Sequence, residues 1–61
     1  HVSPAYVNLF LQKYNASVID LQGEEHEQIT FGNIRDVEYI LFDNHNYKCY
    51  FGNNDEIVIM S

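Results

Sequence analysis

Residues 32–44 read Gly-Asn-Ile-Arg-Asp-Val-Glu-Tyr-Ile-Leu-Phe-Asp-Asn, and the rest of the chain has to be arranged around them. Ile34, Val37, Tyr39, Ile40, Leu41 and Phe42 are β-branched, aromatic or large apolar residues. Asp43 and Asn44 close the run with turn formers, and no proline interrupts it. Such a run predicts a strand over 37–42 buried on both sides. Everything on either side of it is shorter and more polar.

Upstream, Ser3-Pro4 predicts a helix start. Serine is a good N-cap, and proline at the first helical position loses an N–H that has no intrahelical partner anyway. Val7, Phe10, Leu11 and Tyr14 recur at helical spacing and form one apolar face, widened by Tyr6 and Leu9. Lys13 suits the negative end of the helix dipole, and Asn15 is a stop. The helix is predicted over 4–14. Residues 17–22 then switch to strand character, with Ser17, Ile19 and Leu21 on one face. Residues 23–28 read as a polar acidic turn, and 29–31 as a second strand. Gly32 marks a bend in or just after it. Downstream, 44–46 is a turn, 47–51 a fourth strand, 52–55 a turn and 57–60 a fifth strand. Turns this short force antiparallel neighbours. The expectation is one α+β, mainly β domain over 1–61. In it a helix caps a five-stranded, strongly bent antiparallel sheet or small open barrel.

Size and charge narrow the function classes. A chain of 61 residues buries only about 60% of its unfolded surface, and stability is then marginal without extra support. The single cysteine, Cys49, excludes an internal disulfide. Self-association is the support that remains by elimination. Nine acids face only Lys13, Arg35 and Lys48, for a net charge of −6. A broad phosphate-neutralising surface is therefore absent, and an acidic adaptor or inhibitor meeting a basic partner is one reading. No apolar run is long enough to cross a bilayer, and no secretory signal pattern opens the chain. A cytoplasmic location is expected.

The predicted order of elements resembles the Sm-like (LSm) superfamily, which includes the bacterial Hfq branch. Gly32-x-Ile34-x-Asp36 followed by the apolar 39–42 run looks like the first Sm motif. Phe51-Gly52-Asn53-Asn54-Asp55 before Ile57-Val58-Ile59 looks like the second. The Arg-Gly pair of the family's second motif reads Phe51-Gly52 here, and the Lys-His of the Hfq branch is missing. The resemblance implies a non-enzymatic, RNA-binding cyclic homo-oligomer with a degenerate base pocket. Asp36, Tyr39, Phe51, Gly52 and Asn53 would then lie near the pore, with Tyr39 or Phe51 stacking on a base. It also implies that the fourth strand of one subunit pairs with the fifth of the next, through Tyr47, Cys49, Tyr50, Ile57 and Ile59. These strands are free of proline and carry a single lysine as edge protection. The alternative is that they pair with each other inside one chain.

Other chemistry is sparse. Glu24-Glu25-His26-Glu27 is the densest polar cluster, but one histidine among acids reads as a solvated turn and no metal is predicted. His45 sits among turn residues with no nucleophile at informative spacing. Cys49, mid-strand, reads as a buried inert thiol. Asp20, Asp36 and Glu38 form no acid–base pair visible in sequence. No enzyme, cofactor or small-molecule substrate is expected.

Overall fold

A computed structural model of the chain describes residues 3–52 and 54–60. The helix α1 spans Pro4–Tyr14, as its capping residues require. Ser3 is extended, and its Oγ accepts the Tyr6 amide at 3.1 Å. At the other end Asn15 takes the left-handed conformation (φ 51°, ψ 45°). The Ala16 amide then reaches back to the Leu11 carbonyl at 2.9 Å, the bond that closes a Schellman motif.

Five strands follow: β1 (Ser17–Asp20), β2 (Glu25–His26), β3 (Val37–Phe42), β4 (His45–Phe51) and β5 (Ile57–Met60). They form one antiparallel sheet in the order β2-β1-β3-β4-β5, and this sheet is open, not closed into a barrel. The fold is the expected helix and five-stranded antiparallel sheet, with β3 at its centre. Between β1 and β3 the register shifts at Ile19/Asp20.

The predicted second strand at 29–31 does not form, and Gly32 lies in a turn instead of a strand bend. The reason is local. Asn8 on the helix accepts the Ile29 amide through Oδ1 at 2.7 Å and donates from Nδ2 to the Ile29 carbonyl at 3.0 Å. One side-chain amide thus takes both hydrogen-bonding groups that a strand neighbour would have used. Ile29 is buried beneath the helix. The chain then turns through Thr30 and Asn33 into a short 3-10 turn at Ile34–Asp36. The second strand is instead Glu25–His26, inside the segment expected to be a loop.

The register assigns the sheet's two faces. Val18, Ile40, Tyr47 and Cys49 share the face that meets the helix, opposite one another in adjacent strands or two residues apart. Val7 and Leu11 of α1 join Val18, Ile29, Ile40 and Cys49 in a single core cluster. Ser17 and Ile19 share a face as expected, and it is the one turned away from the helix. Val18 is the fully buried member of β1, while Leu21 lies beyond the strand and is 60% exposed. On the far face Ile19, Tyr39, Leu41 and Val58 are only half-buried, so β3 is not buried on both sides. Its one fully buried residue is Ile40.

Phe42 pairs with His45 across a two-residue loop, and Asp43 and Asn44 have φ of 53° and 65°. Two positive φ values mark the hairpin turn that matches the right-handed twist of its strands. Glycine adopts the second position without the steric cost that asparagine bears. Asn44→Gly is expected to stabilise the domain by about 0.5–1 kcal/mol, read as a higher urea midpoint at unchanged slope. A lower midpoint would contradict this turn assignment.

Candidate functional site

Three features of the fold could carry function: a polar pin at the β1–β2 hairpin, an apolar groove beside the helix, and the free edge of β5.

The pin is built on Asp20, which is 9% exposed at the end of β1. The chain turns sharply after it, helped by Gly23 at φ 85°, whose amide donates to the Asp20 carbonyl. The Asp20 carboxylate accepts the amides of Gln22 and Glu24 on Oδ1, both at 2.9 Å. His26 Nε2 lies 2.7 Å from Oδ2. These donors hold the carboxyl below its usual range: the His26 hydrogen bond contributes most, then the Glu24 amide, against desolvation. Donor atoms of Asp20, Glu24 and His26 lie within 4.8 Å of one another, a spacing a metal ion could use. However, both Asp20 oxygens already accept hydrogen bonds, and His26 Nε2 is the donor to one of them. The arrangement is a self-satisfied lock on a two-residue strand. Ser17 adds a second tie on the other face, donating from Oγ to Glu25 Oε2 at 2.7 Å.

Sequence reasoning placed His26 in a solvated turn and left Asp20 without a partner. A signal was present. Asp followed three residues later by Gly is turn chemistry, and a hairpin folding there sets Asp20 and His26 on one face.

The groove lies between α1 and the sheet. Phe10, Tyr14 and Ala16 form one wall; Ile40, Phe42, Tyr47 and Ile59 form the other. Its volume is about 460 Å³. Tyr14 packs against Phe10 in a tilted pair, 4.9 Å between ring centroids, and meets Phe42 edge-on at 6.3 Å. The groove exists because the helix covers only part of its side of the sheet. Nothing in the sequence announces it: Phe10 and Tyr14 read there as the apolar face of a helix, Phe42 as part of a buried strand and Tyr47 as a subunit contact.

The β5 edge follows from strand order. β4 pairs with β5 inside the chain, from Lys48↔Met60 to Phe51↔Ile57. Of the two pairings left open by the sequence, this is the internal one. The inter-subunit candidates therefore scatter. Cys49 is buried in the core and Tyr47 and Ile57 are half-buried on the helix side, whereas Tyr50 stands 54% exposed on the far face. Of these two strands, β5 alone has a side without a strand neighbour among the described residues. The Gly52 amide donates to the Glu56 carbonyl at 2.9 Å, and hydrogen-bonded pairs alternate along an antiparallel ladder. Val58 and Met60 thus bond to β4, while the amides and carbonyls of Ile57 and Ile59 point outward.

The candidate RNA-contacting residues are not gathered on one surface. Tyr39 is opposite Lys48 and shares its face. Phe51, three residues beyond Lys48, takes the other face of the sheet and packs against the core. Asp36 ends the 3-10 turn, and Gly52 follows β4. Asn53 lies outside the described residues. Cys49 is 4% exposed, and burial pushes its thiol up to about 11, which makes it a poor nucleophile. His45 opens β4 and is exposed. Among the described residues no helix is long and apolar enough to cross a membrane.

Neither protein-family models, nor curated proteins, nor solved structures give a match to this chain.

Proposed function

We propose that this chain is a non-enzymatic protein-interaction module that receives an extended partner strand along β5. The observation that supports this reading most is the character of that edge. Residues 57–60 contain no proline and no charge, and Ile59 and Met60 are 44% and 41% exposed. The opposite edge is a two-residue strand bearing Glu25, which protects it. Strand addition draws affinity from main-chain hydrogen bonds and specificity from alternate side chains. A charge of −6 favours a basic partner and speeds its approach.

A synthetic Lys-Val-Lys-Val-Lys-Val peptide is a direct probe. The expected result is slowed hydrogen exchange at the Ile57 and Ile59 amides. A chain of this length is also accessible to total synthesis, which permits N-methylation of Ile59 alone. That change removes one outward donor, keeps the side chain and spares the β4 ladder. Loss of peptide binding in the N-methylated protein is expected; unchanged binding would refute edge addition.

The Sm-like ring makes a different set of claims. A free strand edge favours association of copies as well as of partners, and light scattering would then give the mass of a closed oligomer without any peptide. Oligouridine should perturb Tyr39 or Phe51 in that case. The placement of these two residues on opposite faces, with Lys48 beside only one, is why the protein-interaction reading is preferred.

A further inference from the structure

We infer that the groove between α1 and the sheet binds a single-chain amphiphile with an anionic headgroup, of which a long-chain carboxylate is the simplest example. Its volume of about 460 Å³ lies within the usual range of small-molecule sites. Its walls are aromatic and aliphatic, and none of the chain's nine acids lines it. That composition suits a hydrocarbon tail.

The headgroup assignment comes from two donor side chains, a lysine and a histidine, at one end of the groove. Lys13 Nζ lies 5.4 Å from the centroid of the Tyr14 ring. His45 packs against Tyr47, with ring centroids 6.2 Å apart. Both aromatic rings belong to the groove wall. They lie at the same end of it, because Tyr14 touches Phe42 and Phe42 is the cross-strand partner of His45. A lysine and a histidine thus flank the β3–β4 hairpin end of an apolar slot. The remaining lysine and the arginine are elsewhere: Lys48 is on the far face, and Arg35 is in the 3-10 turn, while His26 is tied to Asp20. Asp43 in the hairpin is the acid adjoining this end in sequence, and it is exposed to solvent. The tail would run from there along Ile40 toward Ile59. This inference is independent of strand addition at β5, since it uses the groove face and not the strand's outward amides.

The overall charge makes the test demanding. A protein of net charge −6 attracts a cationic amphiphile unless a local site reverses the preference. Dodecanoate and dodecyltrimethylammonium, which share a twelve-carbon tail, should be titrated separately below their micelle concentrations and followed by amide and methyl NMR shifts. The expected result is saturable binding of dodecanoate at least roughly tenfold tighter than the cation, as one charge-assisted hydrogen bond would produce. Its shifts should centre on Phe10, Ile40 and Tyr47. Lys13→Gln, at an exposed helix position, should remove most of that preference while leaving the spectrum folded. Equal affinity for the two headgroups, a preference for the cation, or shifts that avoid the groove would each overturn the assignment. So would a Lys13→Gln protein that keeps the full preference, or the absence of saturable binding.

Discussion

Leu11→Ala is expected to leave the protein largely unfolded at moderate temperature, whereas Leu9→Ala, two residues earlier on the same helix, should be nearly silent. Leu11 is 1% exposed and sits in the core with Val7, Val18, Ile29, Ile40 and Cys49. Truncating a fully buried leucine costs about 2–5 kcal/mol. A domain of this length is stable by only about 3–9 kcal/mol in total. The substitution therefore removes between about a fifth of that stability and all of it. A shift in melting temperature of about 8 °C or more follows, since each kcal/mol moves a small domain by about 4–8 °C. Leu9 is 66% exposed, and its truncation should stay within about 0.5 kcal/mol. Thermal unfolding by circular dichroism reads both. Equal effects from the two leucines would show that the helix is docked in a different rotation.

The second large effect is expected at Asp20. Asp20→Ala leaves the Gln22 and Glu24 amides and His26 without their acceptor. β2 has only two residues with which to hold itself in the sheet, so the loss should be felt locally first. Hydrogen exchange at the Glu24 amide should accelerate by roughly tenfold or more. The pH dependence has a definite sign. The Asp20 carboxyl is lowered from its ordinary value of 3.8 in the folded chain. Its contribution is therefore fully present above the unfolded value, near pH 4, and is lost as pH falls through the lowered folded value. Comparing wild type with Asp20→Asn isolates the effect from the other eight acids. The wild type should lose more stability below pH 4 than the variant does. Parallel acid profiles would show that the carboxylate is not what holds the hairpin.

These experiments bear on function because the hairpin and the helix set the limits of the two proposed binding surfaces. Helix docking creates the groove, and the β1–β2 lock protects one sheet edge while β5 stays open. Acid conditions that loosen β2 should expose a second edge, on β1. Self-association below pH 4 would be the visible consequence, and Asp20→Ala should bring it to neutral pH.

The local grammar of the chain was enough for the helix and the central strands. Ser3-Pro4 and Asn15 bound α1 through capping chemistry that needs no tertiary partner. The apolar run at 37–42 became β3, and Asp43-Asn44 became its turn. Those outcomes depend on neighbours within a few residues, and they are written in residue type. The segment from 17 to 36 was not legible in the same way. Whether Ile29 extends a strand or is pinned beneath a helix depends on Asn8, 21 residues away. Whether Asp20 is solvated or locked depends on a turn that brings His26 back to it. Val18 and Ile19 are equally apolar in sequence, and only docking of α1 decided which of them faces inward. The groove and the free β5 edge are likewise products of assembly. One exists where a helix stops short of covering a sheet, the other where the strand order ends. Neither condition can be expressed by a residue and its immediate neighbours.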